Sequence, residues 1–353
     1  MALFYLLIFA ILIVGVRFRH RYLHGDYIDV PHANAVKGFF ILLVFASHIQ
    51  GFLLRNGYAY TSLDRVFVGA NAWLGQLIVS MFLFYSGYGV MESIRKKGSS
   101  YVDDLPKKRI AVVLLDFDIA VLVYVLFNLL FSHFPGWKTV LLSLICWESV
   151  GNSNWYIFVI LLCYVSAYVS YKFISRLNII FIFFLCAVIA AILSFAKPFW
   201  WYDTIMTFPI GMLFSLHRNL IERLLSRHYT LTLLSLVLIF LCVRQSSYVF
   251  PFLWHGLRSN MLSGLFVLII VLITQKCEVS SAALTWCGRN LFPLYIYQRL
   301  SMMIWQSVFG GVFVCRHATI YVFTCLLSTV LIALIYRQIK SWKFLTWKHD
   351  IRS

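Results

Sequence analysis

The chain has 353 residues, 61% of them hydrophobic and only 12% charged, with a formal net charge of +17. A water-soluble domain covers its surface with polar groups, and about a quarter of its residues are charged. This balance excludes such a domain and points to lipid as the solvent. The basic excess would suggest nucleic acid in a soluble protein, but here the bases sit between apolar runs, where positive cytoplasmic loops are expected. No nucleic-acid partner is expected.

The first apolar run, 2–16, lacks a basic segment before it and is followed by Arg17, Arg19 and Arg21. It reads as a retained helix with its N-terminus outside, not as a cleaved leader. Runs of membrane length follow at 36–54, 71–91, 110–131, 155–171, 178–196, 203–216, 229–243, 260–275, 290–309 and 318–336. About eleven spans result. The stretch 137–147 is apolar but too short to cross, and reads as a re-entrant or interfacial piece. The expected fold class is therefore an all-α, polytopic membrane helix bundle. It divides into an additional N-terminal helix with a basic linker over 1–30, a membrane domain over 31–340 and a cytoplasmic basic tail over 341–353. Most of the 30 bases fall on the loops that this topology makes cytoplasmic, which puts the N-terminus outside and the C-terminus inside.

Eight cysteines are scattered through the apolar segments without a Cys-x-x-Cys pair. They read as small packing residues. Neither a disulfide framework nor a metal is expected.

Ionisable groups within spans are informative, because a charge at a helix centre costs about 2.5–3.5 kcal/mol. The candidates are His48, Asp116, Asp118, Arg299 and Glu92. Lys37 and His48 are eleven residues apart. That is roughly three turns and a rise of about 16 Å, so both project from one face. Lys37 would stand at the cytoplasmic mouth and His48 near mid-membrane. This geometry suits a long donor with an anionic head and a reactive far end, such as coenzyme A. Lysine holds phosphate as a point charge, and a neutral histidine can act as general base toward an acceptor hydroxyl. A buried histidine bonded to a neighbouring carbonyl fits the spacing equally well.

Further groups stand beside this pair. The small residues of Phe82–Gly89 let helices approach closely, while Ser86 and Tyr88 could line a polar cavity. Lys107, Lys108 and Arg109 precede a span and fit positive-inside anchoring or a phosphate clamp. Asp116 and Asp118, two apart, face different directions. On the outer side, Asn154 reads as a helix cap beside Trp155 and Tyr156 of an aromatic belt, or as part of a sugar site. Trp200, Trp201 and Asp203 form a similar cluster, as do Trp254 and His255. Asp203 also fits a helix cap. Tyr295 and Arg299 share a helix face, and Arg299 needs a partner, for which Asp116 or Asp118 is available.

Together these residues resemble the acyltransferase-3 family of membrane acyltransferases. Lys37 and His48 match its basic residue, ten others, then histidine. Phe84–Tyr88 is similar to its Phe-rich Ser-Gly-aromatic stretch, Lys107–Ile110 to its basic helix entry, and Trp155–Tyr156 to its Trp-Tyr pattern. The resemblance covers roughly residues 30 to 336. It implies a ten-helix core preceded by one added N-terminal helix. It implies an acyl-CoA donor, with acetyl-CoA the expected form, entering from the cytoplasm. His48 would be the catalytic base, and Lys37, Lys108 and Arg109 would be donor contacts. Ser86, Tyr88, Asp116, Asn154, Trp155 and Arg299 are the candidates for acceptor binding. The implied acceptor is the hydroxyl of an envelope carbohydrate such as O-antigen, capsule or exopolysaccharide, or a lipid-linked sugar, in a bacterial inner membrane. The chain departs from the family where many members carry a late histidine and this one has Gln298. It also lacks the proline common after the basic helix entry. Two other readings fit the buried charges: a flippase or transporter of a lipid-linked sugar, and a scaffold subunit of a polysaccharide assembly.

Overall fold

In the computed structural model the described residues are 1–18, 23–131, 133–174, 177–245 and 253–350. Arg19 and Arg21 lie outside them, as does the side chain of Trp254. The described chain is almost wholly helical. Its only sheet is a two-stranded antiparallel ladder of β1 (Val16–Phe18) and β2 (Cys277–Val279), with Arg17 opposite Glu278. The ladder fastens the exit of the N-terminal helix α1 (Ala2–Gly15) to the end of a later helix, α13 (Leu253–Lys276).

Helix α2 (Val30–Arg55) starts where Asp29 caps it. The Asp29 carboxylate accepts from the His32 N–H at 3.1 Å, and Pro31 sits in the first turn, where its missing N–H costs nothing. α3 (Ser62–Leu74) begins with a reciprocal capping box between Thr61 and Asp64. α4 (Leu77–Lys97) stops at Gly98, whose φ of +62° is at home only in glycine. α5 (Ser99–Leu105) runs through Pro106 into α6 (Val112–Leu130). Proline offers no N–H to the ladder, and the residues Pro106–Ala111 widen into a π-turn carrying the basic entry. There follow α7 (Trp137–Leu144), α8 (Trp155–Phe173), α9 (Asn178–Ala196), α10 (Thr207–Leu216), α11 (Arg218–Arg227), α12 (Tyr229–Gln245) and α13. The chain ends with α14 (Ala282–Arg289), α15 (Leu291–Arg316) and α16 (Ala318–Asp350), so most of the expected tail continues the last helix.

Seven of the described helices are long and apolar enough to cross a membrane: Val30–Arg55, Leu77–Lys97, Ser99–Leu130, Trp155–Phe173, Asn178–Ala196, His255–Lys276 and Ala318–Ser341. An eighth span results if Arg218–Leu224 and Tyr229–Gln245, bent by 99°, count as one. The other expected spans are present as helices of another kind. α1 has 14 residues and α10 has 10. At about 1.5 Å per residue both are shorter than the ~30 Å hydrocarbon core. α10 is buried within the bundle, so lipid thickness does not set its length. α15 carries Tyr, Gln and Arg side chains and breaks at Gly310, where φ is +74°. Its first half is buried by protein, where polar groups find partners. The 137–147 stretch forms the eight-residue α7, too short to span.

α2 and α4 are central: 67% and 78% of their apolar windows are buried, against 17% for α9 at the periphery. Glycines set how closely they are packed. A Cβ on Gly87 of α4 would stand 2.0 Å from the Phe208 carbonyl oxygen of α10, and one on Gly211 of α10 2.1 Å from that of Phe84. α2 meets α14 the same way, through Gly38 against Leu284 and Gly288 against Asn34. These contacts bring the backbones together and hold the faces bearing Lys37, Ser86 and Tyr88 around one space.

Candidate active site

The unbroken α2 carries Lys37 and His48 on one face, and the two open into different cavities. Lys37 lines a cavity of about 1120 Å³. His48 lines a second of about 270 Å³. Tyr295, on α15, lines both. Its ring packs edge-on against Tyr156, with centroids 5.3 Å apart, and Tyr156 belongs to the larger cavity.

The larger cavity is strongly basic. Eight lysines and arginines and three carboxylates line it. Four of the bases are held in place: Lys108 by Asp104 at 2.6 Å, Arg218 by Glu222 at 2.6 Å, Lys96 by Glu92 at 3.9 Å, and Lys340 by Asp116. Lys37 and Arg109 form no ion pair among the described residues, and the charge of Arg109 is felt at Lys37. Two neighbouring cations without a counter-ion have the chemistry to hold an anion, and guanidinium offers a planar fork suited to phosphate. Ser86 Oγ and Tyr164 OH form a 2.7 Å hydrogen bond in the same wall. Arg218 donates to Tyr88 OH at 3.2 Å and to the Gly25 carbonyl at 2.7 Å, tying the linker to the cavity.

The smaller cavity gathers hydrogen-bonding groups. His48, Gln50, Asn71, Gln76 and Trp155 line it beside Tyr295. His48 Nδ1 and Gln76 Oε1 are buried without a hydrogen-bond partner among the described residues. Buried polar atoms are normally paired, so these unpartnered groups set the small cavity apart from the packed core around it. Asn71 Nδ2 donates to Ser47 Oγ at 2.8 Å, which fixes its amide.

Three sequence expectations need correction. Arg299 pairs with neither aspartate: Asp116 is taken by Lys340, and Arg299 reaches the Asn152 carbonyl at 3.5 Å. Two aspartates on α6 were available by composition, but the base on α16 stands nearer. Asn154 sits at the start of α8 without capping it through its side chain. Its amide instead donates to the Cys146 and Glu148 carbonyls at 2.8 and 3.0 Å, closing the loop in which Cys146 adopts a φ of +60°. Asp203 caps no helix. It is buried, with its carboxylate 3.8 Å from His255, and burial raises it to about 7 against the pull of a Ser259 hydrogen bond and the Arg258 charge. The neighbouring Trp201 packs with Trp147, and the Lys197 ammonium lies 4.0 Å over the Trp147 ring.

With this geometry in view, comparison with known proteins is decisive at the level of family: residues 30–337 match the acyltransferase-3 family, described as an acyltransferase domain. The chain belongs to the acyltransferase-3 family. It is a multi-pass membrane acyltransferase. No curated protein and no solved structure was found to match it. The match begins on the first residue of α2, so α1 and β1 precede the acyltransferase domain.

Within this acyltransferase the residues singled out from the sequence divide in three. Lys37, Ser86, Tyr88, Lys108, Arg109 and Asp116 meet in the large cavity. His48 and Trp155 meet in the small one. Asn154 and Arg299 line neither, although the charge of Arg299 is felt at His48. Sequence reasoning did not assign Tyr295 the dividing position. It read Arg218 only as one of the cytoplasmic bases and did not single out Gln76. Tyr295 stood out only as a helix neighbour of Arg299, and no sequence signal reports that a ring faces two cavities.

Proposed function

We propose that this acyltransferase moves an acyl group, acetyl in the simplest case, from acyl-CoA to a hydroxyl of a cell-envelope carbohydrate. The observation that carries this reading is the pair of cavities strung along one face of α2, basic at Lys37 and hydrogen-bonding at His48. The phosphates of coenzyme A lie against Lys37 and Arg109, with Lys108 at the edge. The pantetheine arm reaches past Tyr295 toward His48. The acceptor hydroxyl enters from the small cavity, beside Trp155. His48 removes its proton as the oxygen attacks the thioester carbonyl. The tetrahedral intermediate collapses with cleavage of the C–S bond, and the imidazolium returns the proton to the leaving thiolate. Ser86 and Tyr88 line the donor's path. Asp116 fixes Lys340 at its rim.

The same reading sets the orientation. Acyl-CoA is cytoplasmic, so the basic cavity faces the cytoplasm of a bacterium and the His48 cavity faces outward.

Transfer of radiolabelled acetyl from acetyl-CoA in membrane vesicles bearing the native glycans tests the proposal. Wild type and His48→Ala are compared at matched protein levels. Label reaching glycan with wild type alone is the expected result. Equal labelling by both would move the base elsewhere. No labelling by either, with donor and acceptor supplied, would overturn the proposed substrates.

A further inference from the structure

Where the chain passes from β1 toward α2, it brings two histidines and a carboxylate to one point. His24 is only 4% exposed. Its Nε2 lies 3.0 Å from Nε2 of His32, and the two rings meet edge to face. Glu278 Oε1, from β2, lies 3.8 Å from the same His32 nitrogen. All three ligand atoms lie within 4.8 Å of one another. They come from three separate pieces of chain, each fixed by its backbone. The His24 N–H donates to the Gln275 carbonyl at 2.8 Å. His32 stands in the first turn of α2, and Glu278 is held in the ladder opposite Arg17.

The protonation pattern follows from Asp29. Its carboxylate lies 2.6 Å from His32 Nδ1. A neutral His32 therefore carries its proton on Nδ1 and presents the Nε2 lone pair to His24 and Glu278. A carboxylate behind a histidine orients the ring and strengthens it as a metal ligand. Neighbouring ligand atoms of a tetrahedral ion bound at about 2.0–2.2 Å stand roughly 3.3–3.6 Å apart. The 3.0 and 3.8 Å separations bracket that edge.

We propose that His24, His32 and Glu278 bind one divalent transition-metal ion of the zinc class. Two imidazoles and one carboxylate supply three ligands and leave a fourth position for water. Nothing in the sequence spacing pointed to this, and it departs from the expectation of no metal. The ion is a clip. It joins the linker behind α1, the first turn of α2 and the end of α13. Asp29 also lines the basic cavity, so the clip sits at that cavity's rim.

The competing arrangement is a neutral His24–His32 pair sharing one hydrogen bond, with no affinity for metal. Purified full-length protein in detergent, carrying no polyhistidine tag, separates the two. The expected result is one equivalent of Zn²⁺ retained after dialysis and a tetrahedral d–d spectrum with Co²⁺. Metal should also raise the thermal midpoint. His24→Ala and His32→Ala should lose the stoichiometric site. Asp29→Asn should bind with about 10–100-fold lower affinity. A wild-type chain with no stoichiometric metal and no Co²⁺ spectrum overturns the proposal, whether or not the variants fold. So does metal that both alanine variants retain in full. Metal content is read without any acyl transfer, so the result stands apart from the proposed reaction.

Discussion

Lys37 and His48 share one face of α2 yet open into different cavities, and the ring of Tyr295 lines both. A donor anchored by its phosphates at Lys37 and reacting at His48 must pass that ring. On the proposed reaction path, that residue would keep water in the basic cavity from His48 until the donor fills the passage. Thioester chemistry needs such a partition, because water competes with the acceptor hydroxyl.

Opening the partition is therefore expected to uncouple the reaction. Tyr295→Ala should raise acyl-CoA hydrolysis several-fold in the absence of acceptor and lower transfer to glycan. Tyr295→Phe keeps the ring and should keep both rates near wild type. Release of free coenzyme A, measured with and without glycan, reads both effects. Wild-type hydrolysis in Tyr295→Ala would show that something else separates the cavities.

Lys37 and Arg109 are expected to act on donor binding. A hydrogen bond to a charged group contributes about 1.5–3 kcal/mol, so each alanine variant should raise the KM for acyl-CoA roughly 10–100-fold. The kcat at saturating donor should change much less. Arg109→Lys keeps the charge and loses the fork, and should fall between wild type and alanine. The defect should grow as salt is lowered, since the lost attraction is screened at high salt. Unchanged KM in both alanine variants would place the donor head elsewhere.

Helix spacing gives a prediction that is independent of chemistry. Gly87 and Gly38 face carbonyl oxygens at distances no Cβ tolerates, 2.0 and 1.8 Å. Gly87→Ala and Gly38→Ala must push whole helices apart, and overpacking of this kind costs about 1–3 kcal/mol. Gly51, also within α2, would point a Cβ into open space. Gly51→Ala should instead stabilise by up to about 1 kcal/mol, because alanine is the better helix former. Thermal unfolding in detergent should show opposite signs for variants on the same helix.

Helical content and the Lys37–His48 face were legible because each is a local periodicity, whereas the central place of α2 depends on packing that the sequence does not report. The number of spans was less so. Hydropathy cannot distinguish a helix buried by lipid from one buried by protein, so the short α10 and the polar α15 read as ordinary spans. Partners across the bundle were not legible at all. Arg299 was given Asp116 or Asp118 as an available partner, but Asp116 goes to Lys340, which only the placement of α16 decides. His24, His32 and Glu278 are ordinary residues until the β1–β2 ladder brings residue 278 beside residues 24 and 32. Gly87 was read correctly as a packing residue because small side chains in an apolar helix have few other uses.

Asp203 offers a test by pH. Burial raises its carboxyl from 3.8 to about 7. The folded chain therefore keeps a proton that the unfolded chain sheds from about pH 4 upward. Between those two values the unfolded state binds fewer protons, so stability falls as pH rises. Above about pH 7 both states are ionised, and this group adds no further loss. Asp203→Asn has no proton to lose and keeps an amide of similar shape near His255. Its thermal midpoint relative to wild type should start near zero at about pH 4.5, climb by several degrees toward about pH 7, and then level off. Arg258 and His255 surround the site, and a charge on either would flatten the climb by favouring the carboxylate. An offset constant across the whole range would mean that the Asp203 carboxyl titrates alike in both states. Its burial would then be a matter of packing alone.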